Sequence, residues 1–121
     1  MKKLSVLLIA LSFSQFASAL TLNELAGSYK VTHPEIPVVN IVKISADGKI
    51  ALTESSPYGK LECSGKGKLV NDQLSSSVKC TDGQVFTQKI NLSKVKNLNK
   101  FKATVFSSLY GQELEMNFER L

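Results

Sequence analysis

The chain has no tryptophan, a single histidine and only two cysteines in its 121 residues, and each shortage removes a class of chemistry. Histidine is the usual general base near neutral pH, so a Ser-His-acid arrangement would have to use His33. That residue precedes Pro34 in a loop-like stretch with no evident partner and reads as a surface position. A zinc site needs several His or Cys at ligand spacing, which this chain does not provide. No phosphate loop is expected either. Gly65-Lys66-Gly67-Lys68 lies inside a strand pattern, not between a strand and a helix. Glu113 and Glu115 stand at strand spacing and decorate a solvent face. No segment beyond the first 19 residues is apolar enough to span a bilayer. No basic cluster with interleaved aromatics marks a nucleic-acid surface. The expectation is a protein without catalytic residues, metal or cofactor, and with no nucleic-acid partner.

What is present begins with an export signal. Lys2 and Lys3 form a positive start, Leu4 to Phe13 is apolar apart from two serines, and Ala17-Ser18-Ala19 is a small-x-small cleavage site. The apolar stretch falls short of the roughly 20 residues a membrane span needs. Residue 20 is Leu rather than Cys, so a lipid anchor is not indicated. The reading is a signal peptide over 1–19 and one domain over 20–121, periplasmic or extracellular and bacterial in style. Losing Lys2 and Lys3 leaves 13 basic against 10 acidic residues, a mild net charge of +3. Asn91-Leu92-Ser93 is a formal glycosylation sequon that matters only in a eukaryotic secretory pathway.

Thr21-Leu22-Asn23-Glu24 has the capping-box pattern and predicts one short helical turn ended by Gly27. Everything after it reads as strand: Ser28–Thr32, Val38–Ser45, Lys49–Glu54, Lys60–Val70, Gln73–Cys80, Gln84–Leu92, Lys100–Leu109 and Glu113–Arg120, with turn chemistry between them. Apolar and polar residues alternate, as antiparallel strands around one core require. The second strand is the exception: Val38, Val39, Ile41, Val42 and Ile44 are apolar on both faces, which predicts cover on both sides. Parity asks for an odd loop between Cys80 and Phe86, met by Thr81-Asp82-Gly83, and an even one between Leu109 and Leu114. Apart from 93–99 the connections are short. The fold class is therefore all-β, about eight antiparallel strands in up-and-down meander order, in a small barrel or barrel-like sandwich.

The two cysteines fix the register of one hairpin. With Asn71-Asp72 as a two-residue turn, cross-strand partners have numbers summing to 143, so Cys63 faces Cys80, Gly65 faces Val78 and Leu69 faces Leu74. By alternation Cys63 and Cys80 form a non-hydrogen-bonded pair. Their Cα atoms are then roughly 4.5 Å apart, inside the range a disulfide accepts. A stapled hairpin in an oxidising compartment follows.

Leu25-Ala26-Gly27-Ser28-Tyr29 and the closing Phe118-Glu119-Arg120 resemble the ends of the calycin barrels: lipocalins, fatty-acid-binding proteins and avidins. Those proteins open with a helical turn and Gly-x-Trp, and often pack a basic residue of the last strand over the Trp. Here Tyr29 replaces the Trp, and the chain is shorter than typical lipocalins. The resemblance covers the two ends and the strand count, and implies a barrel holding a small apolar ligand.

The expected function is accordingly an exported, non-enzymatic binding protein. Its interior would be lined by Tyr29, Leu61, Gly65, Leu69, Val78, Phe86, Ile90, Phe101, Val105, Met116 and Phe118. The glycines read as bends in a barrel strand or, alternatively, as room for a ligand beside Gly65, Gly67 and Ser76. A second reading is a protein-binding module, such as an inhibitor of an extracytoplasmic hydrolase. It would use the proline-fixed Tyr58 loop, or Lys94 and Lys96, whose charge would suit an acidic partner or anionic lipid. The sequence leaves the oligomeric state open.

Overall fold

The computed structural model describes residues 20–121; the signal peptide expected over 1–19 lies outside the described residues. One helical turn, α1 (Leu22–Leu25), precedes eight strands: β1 (Gly27–His33), β2 (Ile36–Ile44), β3 (Lys49–Ser56), β4 (Gly59–Val70), β5 (Gln73–Cys80), β6 (Val85–Asn91), β7 (Lys100–Ser107) and β8 (Gln112–Arg120). All pairings are antiparallel. Each strand pairs with its sequence neighbours, and β8 returns to β1, closing the barrel.

Local chemistry accounts for the elements. Thr21 caps α1: its Oγ1 accepts from the Glu24 amide at 3.2 Å, and Glu24 Oε1 accepts from the Thr21 amide at 3.1 Å. Asn71 and Asp72 both take left-handed φ values, 51° and 62°, as the two-residue turn that suits right-twisted strands demands. The resulting register pairs Cys63 with Cys80 and Val70 with Gln73, and the two cysteines are disulfide-bonded. Between β5 and β6, Gly83 at φ 91° closes a three-residue turn, its amide donating to the Cys80 carbonyl.

Two expectations are corrected. Leu109 is not a strand residue: Ser107 pairs with Gln112, so β7 ends at Ser107 and Leu109 sits half-exposed in a four-residue turn. The turn is even, as parity required, with Gly111 at φ 66°. Nor is β2 covered on both faces. Val42 and Ile44 are buried inside, but Val39 on the outer face is 37% exposed. A single sheet closed on itself has one interior, and no second layer covers the outside.

The meander sorts the connections to two ends. At the helix end lie α1, the β2–β3 and β4–β5 turns and the 92–99 loop; at the hairpin end lie the other four turns. The core runs between them. Leu25, Tyr29, Leu74 and Val78 are its least exposed members, with Leu22, Val95 and Leu98 packed against it at the helix end.

Gly65 is held by backbone. A Cβ there would stand 1.9 Å from the Ser77 carbonyl oxygen and 2.9 Å from Val78 Cα. Neither is a side chain that can swing aside, so Gly65→Ala forces β4 from β5. We expect a loss of about 3 kcal/mol, the upper range of overpacking, read as a lower urea midpoint. Gly59→Ala meets no atom within 4 Å but has φ 138°, so it reports backbone strain without a clash.

Candidate functional site

Each interior residue named from the sequence lies on the inner face, but they do not share one cavity. At the helix end the interior is filled. Tyr29 is 1% exposed and its hydroxyl donates to the Leu25 carbonyl. Phe101 meets Tyr29 edge-on at 6.0 Å and stacks on Phe118 at 4.7 Å. Arg120 lies over the Tyr29 ring at 5.2 Å and donates from Nη2 to the carbonyls of Glu24 (2.8 Å) and Ala26 (3.0 Å). This contact ties the last strand to α1 and β1. A Cβ on Gly27 would stand 3.2 Å from Arg120 Nε, so the glycine admits the guanidinium.

Along β4 and β5 the interior is also occupied. Val78 is 1% exposed, Cys63 and Cys80 are buried, and Leu61 and Leu69 pack at the margins. Gly65 and Gly67 leave no ligand room: the Ser77 carbonyl crowds one and Ile50 Cδ1, at 2.7 Å from a Cβ, crowds the other. The small residues admit neighbouring chain, so of the two readings the strand-geometry one holds.

A cavity of about 50 Å³ remains beneath the β7–β8 turn. That is space for a few water molecules, far below the several hundred Å³ usual for drug-sized ligands. Phe86, Ile90, Val105, Met116 and Phe118 line it, five of the residues named from the sequence. Tyr29, Leu61, Gly65, Leu69, Val78 and Phe101 do not.

The lining also carries a polar set that the sequence reading did not assign to the site: Asn40, Glu54, Gln88, Ser107 and Tyr110. Asn40 Oδ1 is buried with no hydrogen-bond partner among the described residues. Ser107, 3% exposed, accepts from the Leu109 amide at 3.3 Å. The signal available was phase: Asn40, Glu54 and Ser107 fall in step with inward apolar neighbours on their strands, whereas Tyr110 lies in the β7–β8 turn. Burial pushes the Tyr110 hydroxyl above its ordinary value, and the Glu54 carboxylate nearby pushes the same way.

Tyr29 is also raised, by burial first, with Arg120 opposing. For both tyrosines the folded pKa exceeds the unfolded one. Their contribution to stability is complete below pH 10.0 and lost as pH rises through the raised values, because the unfolded chain releases protons that the folded one keeps. The urea midpoint should therefore fall above pH 10, and by less in Tyr29→Phe.

Tyr58 is 98% exposed at the hairpin end, whereas Lys94 and Lys96 sit in the 92–99 loop at the helix end. The two loops are separate surfaces. Among the described residues no cluster of three or more His, Cys, Asp or Glu is placed to hold a metal. No described helix is long and apolar enough to cross a membrane.

Comparison with family models, with curated proteins and with solved structures returns no match.

Proposed function

We propose that the protein is an exported, non-enzymatic binding protein that holds a small, mainly apolar ligand at the hairpin end of its barrel. The observation carrying this reading is the cavity under the β7–β8 turn, with an apolar wall and a few polar groups, the composition expected of a small-molecule site. Its size favours a molecule of a few heavy atoms over a fatty acid. Support for calycin-like ancestry comes from the closed eight-strand meander and from Arg120 over Tyr29.

Two measurements test it. Native mass spectra of protein from the exported fraction should show added mass that vanishes on denaturation. Met116 lines the cavity and is the only methionine after residue 1. Its labelled methyl should shift on titration with 1-pentanol, and Val105→Trp, which fills the cavity, should abolish the shift. A bare native mass together with an unmoved Met116 methyl would end the reading.

The exposure of Tyr58 favours one second reading, a hairpin tip that enters a protein partner's cleft. Tyr58→Ala should then weaken a recovered complex at least tenfold, and equal binding would remove it. Lys94→Glu/Lys96→Glu tests the opposite end separately.

A further inference from the structure

The lysines look scattered along the sequence, but the register gathers them. On the outer face of β4, β5 and β6, Lys68 faces Ser75 and Ser75 faces Lys89; one row away, Lys66 faces Ser77 and Ser77 faces Thr87. Lys66, Lys68 and Lys89 are exposed. With the hydroxyl residues Ser75, Ser77 and Thr87 they line a shallow depression of about 860 Å³, whose lining also includes Leu22, Leu69, Val70 and Asp47.

The surroundings extend the positive field. On β3, Lys49 stands directly opposite Lys66, an arrangement that costs stability through like-charge repulsion. Among the described residues the only ion pair is Lys49 with Asp47, so none of Lys66, Lys68 and Lys89 is neutralised by an ion pair. Two acidic residues lie nearer: Asp47, paired with Lys49, lines the depression, and Glu62 is exposed on the same face of β4 as Lys66; Glu113, Glu115 and Glu119 lie on β8.

We propose that this face binds an acidic polysaccharide laid across β4, β5 and β6. The lysines meet its carboxylates or sulfates, and the hydroxyl residues hydrogen-bond its sugars. Two observations choose this occupant. Paired strands lie about 4.8 Å apart, so the three strands span about 10 Å, a length suited to two or three linked rings. The depression has no aromatic residue, and single-stranded nucleic acid is usually held by base stacking. Nor does it carry the Trp or Tyr that anchors proteins at membrane interfaces. The site is independent of the interior cavity.

The test is titration of the ¹⁵N-labelled mature protein with a hexameric oligogalacturonate, alongside the same oligomer fully methyl-esterified. Amide shifts should concentrate in 64–68, 75–79 and 85–89, and binding should weaken as salt rises. K66E/K68E/K89E should lose at least tenfold in affinity while retaining the parent's thermal melt. K100E/K102E, on β7, should stay within twofold. Equal binding of the esterified oligomer, equal loss in both variants, or shifts centred elsewhere would overturn the proposal. So would no binding of the oligomer, including the case where phosphatidylglycerol vesicles or single-stranded DNA bind instead.

Discussion

Tyr29→Ala should cost about 4 kcal/mol, the largest loss expected from a single side chain here. Truncating a fully buried aromatic removes its burial and leaves space the neighbours refill only in part. Tyr29 carries more than area, because its ring supports Phe101 on one side and Arg120 on the other, and its hydroxyl satisfies the Leu25 carbonyl. Tyr29→Phe isolates the hydroxyl and should cost about 1 kcal/mol. Arg120→Ala should cost about 2 kcal/mol, because two carbonyls lose a charged donor and the ring loses its cation. These residues are in contact, so Tyr29→Ala and Arg120→Ala should cost less together than the two losses added. Urea unfolding of the parent and the four variants gives the comparison. A Tyr29→Ala loss under 2 kcal/mol would mean that the helix end repacks.

Removing the disulfide is the second large change. Cys63→Ala/Cys80→Ala should lower stability by about 3 kcal/mol, the chain-entropy value for a closed loop of this length, with a small further loss from truncating two inward side chains. Both cysteines are at most 5% exposed. A soluble reductant therefore needs the barrel to open before it reaches the sulfurs. Thiol release under reductant should be slow in buffer and accelerate steeply near the urea midpoint. Rapid release from the folded protein would show that β4 and β5 separate locally.

The same hairpin shows how far residues alone carry a fold. A turn of two residues fixes a sum, and the sum of 143 holds at all eight partners from Cys63–Cys80 to Val70–Gln73. Alternation then placed Leu74, Val78, Phe86, Ile90, Met116 and Phe118 inside. Other features lay out of reach for identifiable reasons. Leu109 continued the alternation past Ser107, where the four-residue turn that contains Gly111 begins. Asn40 and Glu54 read as ordinary polar residues, because only barrel closure decides which strand ends meet around a cavity. Lys68 and Lys89 are 21 positions apart, and only pairing through Ser75 brings them to one depression. Periodicity reports the face a side chain takes, not its neighbours two strands away.

The pairing of β1 with β8 has a consequence for connectivity. The Leu121 amide donates to the Ser28 carbonyl at 2.8 Å, so the last residue touches the first strand. Leu20, at the other end of the described chain, donates its amide to Asp72 Oδ1 at 2.9 Å in the β4–β5 turn, so the two ends lie on opposite sides of the barrel mouth at the helix end. A linker spanning that mouth would let new termini be cut at Tyr58, where the turn is exposed. Such a permutant keeps all eight strand pairings, but β3 and β4 would then meet as the two chain ends. Seven of the pairings in the natural order join sequence neighbours, and only β1–β8 must wait for the whole chain. Permutation moves that wait to β3–β4, and a changed folding rate at similar stability would identify the closing seam as the slow step.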